Sequence, residues 1–184
     1  MTKIAVHYFA KWPDIRCQIV LTASAASFVD TPPPLHLYSA SECGVHGLMR
    51  GLRTQLTDRN ISINMVAPWV TRSALCPSAT LSVWGDLPLN EPENVARALL
   101  LPVLRPGLNG KSFFVAGGQI VEVEDKLQEC QPIWLGVELS GLMSEGQRRT
   151  VPGWEATVAF LRNNFGMVGP KRGRLGLQRA RTGI

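Results

Sequence analysis

Hydrophobic and polar positions along the chain switch repeatedly between a helical and an extended period. In residues 2–11, Ile4 and Tyr8 share one face and Ala5 and Phe9 another, both at four-residue spacing, which predicts the end of an amphipathic helix stopped by Pro13 and Asp14. Gln18 to Thr22 is short, apolar and β-branched, the pattern of a strand buried on both faces. Residues 23–37 are rich in serine and alanine and hold Pro32, Pro33 and Pro34, so they predict mostly loop. From Ser39 to about Asp58 the helical period returns, with Val45, Leu48, Met49, Leu52 and Leu56 on one stripe. Ala40, Gly44, Gly47 and Gly51 form a small-residue flank that would let a second helix approach closely. Residues 61–67 predict a second buried strand, stopped by Pro68. Residues 93–104 predict a helix with Asn90 as N-cap, Pro92 in its first turn and Pro102 near its end. Residues 112–116 predict a third strand, ended by Gly117 and Gly118. After residue 120 only 154–163 carries a helical pattern, and the rest reads as loop and tail. This alternation is the signature of a parallel α/β sheet of about three strands with flanking helices.

The length, 184 residues, suits one domain with a sizeable core, and 45% hydrophobic with 18% charged residues is globular composition. No apolar run is long enough to span a bilayer, and the first ten residues lead into no cleavage-site pattern, so a cytoplasmic protein without a membrane span is expected. Cys17, Cys43, Cys76 and Cys130 are scattered without a CxxC pair, which predicts reduced thiols and no metal site. The net charge of +5 resides in the tail: with Lys171, Arg172, Arg174, Arg179 and Arg181 set aside, basic and acidic residues balance. That tail has no aromatic residue to stack on bases, so a solvated terminus over 171–184 is expected rather than a specific nucleic-acid site. The domain reading is a globular body over 1–150, an extra helix within 151–170, and the basic tail.

Three short segments carry chemistry. IVLTAS (19–24) ends a strand in a serine, YSASE (38–42) opens a helix, and INMVAPWVT (63–71) ends a strand in a proline turn followed by a threonine. In this order they resemble the second half of a short-chain dehydrogenase/reductase (SDR). GKSFFVAGG (110–118) is similar to that family's last strand. QPIWLG (131–136) and EGQRR (145–149) are similar to filamentous-fungal members of its hydroxyprostaglandin-dehydrogenase-like branch. The resemblance covers roughly residues 2–149. It implies a partial Rossmann-like fold, an NADP or NAD cofactor, and a secondary alcohol or ketone substrate, in fungal secondary-metabolite biosynthesis. It implies Tyr38 as the acid/base, Ser24 as the hydroxyl that orients the substrate oxygen, and Pro68, Trp69, Val70 and Thr71 beside the nicotinamide. It also implies a homo-oligomer, or a hetero-oligomer with a full-length homologue, built on the helix around 39–58.

Two departures from the family pattern stand out. The family's lysine, four residues after the tyrosine and on the same helix face, is Glu42 here. A carboxylate at that position opposes phenolate formation and offers no cationic donor to a ribose; Arg50 and Arg53 are two to three turns away from Glu42. No glycine-rich turn precedes residue 19, so the dinucleotide-binding half is expected to be missing and the chain truncated; Gly44, Gly47 and Gly51 fall inside a helix. These departures make independent dehydrogenase activity doubtful on sequence grounds. They leave as alternatives a non-catalytic remnant or partner subunit, and a cofactor-independent isomerase or cyclase using Tyr38, Ser24 and Glu42. His36 and His46 read as surface or loop histidines, and Cys43 as a small packing residue.

Overall fold

A computed structural model of the chain describes residues 1–150. The helix expected within 151–170 and the basic tail lie outside the described residues. The three apolar runs are strands lying side by side. Cys17–Thr22 (β1) pairs in parallel with Ile61–Pro68 (β2), with Ile19 opposite Ile63, and β2 pairs in parallel with Ser112–Ala116 (β3), with Ala67 opposite Phe114. These match the expected parallel sheet of about three strands; a fourth strand, Gln119–Glu122 (β4), folds back antiparallel on β3 and gives the order β1-β2-β3-β4. Gly117 and Gly118 make the reversal with φ of 54° and 78°, values that a side chain would strain. β4 escaped the sequence pattern because only Ile120 of its short run packs into the core, while Gln119 and Val121 face solvent.

Helices cover both faces of the sheet, which is why β2 is buried at nearly every position. Thr2–Phe9 (α1) and His36–Leu52 (α2) cover one face. There Ile19, Met49, Leu56, Ile63 and Met65 form a core joined by Val6 and Phe9 of α1 and by Val45 and Leu52 of α2. After the short Ser78–Trp84 (α3), Pro92–Leu104 (α4) covers the other face, packing Val95, Ala98 and Leu99 on Val66, Phe113 and Val115. The region after 120 is also more helical than its pattern predicts: Glu124–Glu129 (α5) and Gln131–Leu135 (α6) follow β4. Contacts divide the chain into Met1–Trp134 and a second unit from Leu135 onward. In the second unit Val137–Thr150 (α7) exposes Val137, Leu139, Leu142 and Met143, and its Glu145 pairs with Arg148 and Arg149.

Side chains explain where the helices depart from their predicted bounds. α2 begins at His36 rather than Ser39 and stops at Leu52 rather than Asp58. The Asn109 amide donates to the Arg53 carbonyl (2.9 Å) and to Thr57 Oγ1 (3.1 Å) while its oxygen accepts from the Ile63 N–H (3.0 Å), so the helix end is bound from outside. A 3-10 turn, Thr57–Arg59, and a left-handed Asn60 then lead into β2. Glu91, not Asn90, is the N-cap of α4. Asn90 is fully buried, donating to the Val115 carbonyl (2.8 Å) and accepting from the Gly118 N–H (3.2 Å). The predicted stripe of α2 splits in two: Met49 is fully buried whereas Leu48 is 44% exposed. Gly44, Gly47 and Gly51 face open space, so no described helix packs on the small-residue flank.

One charged group fastens α2 to the sheet. The Glu124 carboxylate, at the start of α5, is buried and accepts four hydrogen bonds. His46 Nε2 (2.6 Å) and Ser112 Oγ (3.1 Å) bind Oε1; Arg50 Nε (2.9 Å) and Arg53 Nη1 (3.1 Å) bind Oε2. His46 is therefore buried, not a surface or loop histidine. Burial by itself would raise the Glu124 pKa, but the hydrogen bonds from His46 and Arg50, together with their charges, outweigh it and hold the carboxyl at about 2.

Two expectations follow. Met49→Ala should cost about 3 kcal/mol in urea unfolding and Leu48→Ala under about 1 kcal/mol; equal losses would contradict the split stripe. Because the folded pKa of Glu124 lies below its unfolded value, its stabilisation is fully present above about pH 4.5 and is lost as pH falls toward 2, roughly 3 kcal/mol in all. In acid titrations of unfolding free energy, Glu124→Gln should lack that component of the wild-type slope; parallel slopes would contradict the assignment.

Candidate functional site

The carboxyl ends of β1 and β2 and the amino end of α2 hold the residues singled out from the sequence. The Ala23 N–H donates to the Val66 carbonyl (2.8 Å), extending β1 to its last residue before Ser24. Ser24 is extended (φ −140°, ψ 160°) and caps the 3-10 turn Ala25–Ser27: its Oγ accepts from the Ala26 N–H at 3.2 Å. That bond fixes the oxygen and leaves the hydroxyl hydrogen free to donate outward. The turn is tied to α2, because Ser27 Oγ donates to the Glu42 carbonyl (3.0 Å) and Thr31 Oγ1 lies 2.5 Å from Ser39 Oγ.

Tyr38 stands in the first turn of α2 with 43% of its surface exposed, and its hydroxyl has no hydrogen-bond partner among the described residues. Glu42 is one turn further on and half-buried; desolvation raises its carboxyl pKa. No cation pairs with it among the described residues, and no hydrogen bond joins Ser24, Tyr38 and Glu42 to one another. The segments are brought together, but the three functional groups are not linked. Arg50 and Arg53 are engaged by Glu124, at the opposite end of α2 from Tyr38.

Pro68 closes β2, and the next three residues are held by backbone bonds. The Trp69 N–H donates to the Val115 carbonyl (2.8 Å), the Asn90 N–H to the Val70 carbonyl (2.9 Å), and Thr71 Oγ1 to the Trp69 carbonyl (2.9 Å). Trp69 lies in a row of aromatic rings. Its centroid is 5.6 Å from Trp84 and 6.1 Å from Phe114; Phe114 is 6.1 Å from Phe28, and Phe28 is 4.6 Å from the His46 ring. The sequence reading missed Trp84, Phe28, Phe114 and Glu124. The strand register, which sets Ala67 opposite Phe114, brings two of the rings together, and no local spacing encodes that.

An open cleft of about 620 Å³ lies on the flank of α2, lined by Phe28, Thr31, Pro33, His36, Ser39 and Cys43. Cys43 is thus exposed at a cleft rather than a packing residue, with Sγ 3.8–3.9 Å from the Ser27 and Ala26 carbonyls. Neither Ser24 nor Tyr38 lines this cleft.

The described residues do not complete a site for a nicotinamide dinucleotide. The position that should offer the ribose a cation is a carboxylate, and the connections from β1 to α2 and from β2 to α3 contain no glycine with which to cradle a phosphate. Among the described residues there is no group of three His, Cys, Asp or Glu placed to hold a metal ion. No described helix is long and apolar enough to cross a membrane.

The profile of the short chain dehydrogenase family matches residues 1–81. A short-chain dehydrogenase/reductase, prx4, of Penicillium roqueforti is 30% identical over 166 residues; the match takes in 79% of this chain and 50% of that protein. The chain therefore spans about half the length of the curated relatives it matches. Among solved structures, a short-chain type dehydrogenase/reductase from Mycobacterium marinum superposes with a TM-score of 0.56 at 21% identity, over 64% of this chain and 49% of the other. A 4-hydroxyisoleucine dehydrogenase complexed with NADH superposes with a TM-score of 0.55 at 20% identity, over 64% of this chain and 52% of the other. At such identities the superpositions speak for the fold: a mostly parallel, Rossmann-like α/β sheet. Together with the ordered serine, tyrosine and proline–threonine segments, these matches support the chain as a partial member of the short-chain dehydrogenase/reductase family, matched by the family profile over residues 1–81 and by curated relatives over about half their length.

Proposed function

We propose that the chain forms the substrate side of an oxidoreductase that interconverts a secondary alcohol and a ketone with NADP or NAD, in fungal secondary metabolism. The observation that carries this reading is the meeting of the Ser24 turn and α2, at Glu42 and Cys43 one turn on from Tyr38, beyond the carboxyl end of β1. There the Ser24 hydroxyl has a hydrogen to donate, and Tyr38 is exposed with no hydrogen-bond partner for its hydroxyl among the described residues. In this reading the bound nucleotide supplies or accepts hydride. Ser24 donates to the substrate oxygen and holds it, and Tyr38 moves the proton to or from that same oxygen. Thr71 and the backbone of Pro68, Trp69 and Val70 face the nicotinamide. The relative in Penicillium and the NADH-bound structural neighbour support the reaction class and the cofactor class.

Glu42 is the weak point of such a site, because it offers no cation where one would hold the ribose. Its half-buried carboxyl, with its pKa raised by desolvation, favours a second reading. In that reading Tyr38, Ser24 and Glu42 transfer protons in an isomerisation or cyclisation that needs no nucleotide. Association is expected in either case: among the described residues no strand pairs with the outer edge of β1, and α2 presents exposed Leu37 and Leu48 beside glycines that face open space. The partner in this reading is a second copy or a full-length family member.

A titration of the purified chain with NADPH and NADH, read by energy transfer from Trp69 and its neighbours, tests the leading reading. Saturable binding below millimolar nucleotide is expected. Glu42→Lys should tighten it about tenfold, the worth of one charge-assisted hydrogen bond. Absence of binding up to millimolar nucleotide in both proteins would contradict the reading. Turnover without nucleotide that disappears in Tyr38→Phe would establish the second.

A further inference from the structure

His46, Arg50 and Arg53 are spaced four and three residues apart and so point from one face of α2 toward the start of β3. With Ser112 they form a pocket of four donors, and the occupant of that pocket is the side chain of Glu124. Neither arginine has another ion-pair partner among the described residues. The neighbouring acids point elsewhere: Asp125 binds Lys111 at 2.6 Å, and the Glu122 carboxylate accepts the N–H groups of Glu124 (2.8 Å) and Asp125 (3.0 Å). Gly110 makes room for one wall. Its φ is 69°, and a Cβ there would come within 2.5 Å of Arg53 Cδ.

We propose that Glu124 is an internal anion filling a receptor built by α2 and β3, and that its occupancy fixes how α2 sits on the sheet. Glu124 is then a positioning residue for the helix that carries Tyr38 and Glu42. The consequence for turnover rests on the function proposed above; the seat itself does not. The chemistry of the receptor is that of a carboxylate site, with two guanidinium donors on one oxygen and imidazole and hydroxyl donors on the other. Removing the occupant while keeping the receptor should create a site for a free carboxylate of the same size. Glu124→Ala does this, because the atoms it deletes beyond Cβ are those of acetate.

The test is hydrogen exchange of the full chain at neutral pH, in acetate and in chloride at equal ionic strength. In chloride, Glu124→Ala should lose at least about tenfold in protection across α2 while β2 keeps more of its protection. Acetate should restore α2 saturably in the variant and leave the wild type unchanged. Equal action of the two salts on the variant, or equal loss over α2 and β2, would overturn the proposal. If the alanine variant does not fold in chloride, Glu124→Gln retains the volume without the charge. It should lose protection in α2 alone, and wild-type protection there would overturn the proposal. None of these readouts depends on nucleotide or turnover, so a failed dehydrogenase assay leaves this test standing.

Discussion

A carboxylate withdrawn from water is costly unless its oxygens are fully bound, and Glu124 is withdrawn almost completely. Its four donors come from a helix and a strand that lie 71–78 and 12 residues away in sequence. The charge can be buried only if α2 lies at one height and one rotation on the sheet. That requirement reaches the other end of the helix, because α2 is one continuous element from His36 to Leu52. The reach of Arg50 and Arg53 to Glu124 therefore sets where Tyr38 and Glu42 project, together with the bonds from Ser27 and Thr31 to the amino half of the helix. The apolar contacts of Met49, Val45 and Leu52 supply attraction between helix and sheet, but attraction of that kind is non-directional.

Buried amides serve a similar purpose elsewhere. Asn90 ties the segment before α4 to β3 and to the hairpin glycine, and Asn64 donates to the Leu108 carbonyl (3.1 Å) and accepts from the Lys111 N–H (3.1 Å). Asn109, only half-buried, joins the end of α2 to β2. Each satisfies backbone groups where an element ends, the places at which a buried sheet would otherwise leave donors and acceptors unpaired. The segment from Pro68 to Thr71 is held in this way, with Asn90 bound to the Val70 carbonyl on one side and Trp69 to Val115 on the other. That part of the candidate site is held through its backbone, while the Tyr38 hydroxyl has no hydrogen-bond partner among the described residues.

What the sequence made legible follows from range. The three parallel strands, α2 and α4 are written in local periodicity, and the order of Ser24, Tyr38 and Thr71 is local to the ends of those elements. Their meeting at one end of the sheet follows from parallel topology. The contacts that set geometry are not local. Periodicity places Leu48 and Met49 on one stripe, yet only the packing of α1 and β2 decides that Met49 goes in and Leu48 stays out. Asn90 has the composition and position of a helix cap, and a carbonyl on β3 claims it instead. Glu124 sits in a charged run, EDKLQE, in the region whose pattern reads as loop, and its partners are known only once β3 and α2 are docked. β4 is too short and too exposed for its alternation to register.

A site seated by one buried ion cluster should betray that cluster as an energetic unit. The most direct measurement is a double-mutant cycle between Glu124→Gln and Arg50→Met, read by urea unfolding at neutral pH. If the carboxylate and the guanidinium act through each other, the cycle should give a coupling of about 1–3 kcal/mol. Additivity within about 0.5 kcal/mol would mean that the Glu124–Arg50 contact does not seat α2, and the account of how Tyr38 is positioned would be wrong.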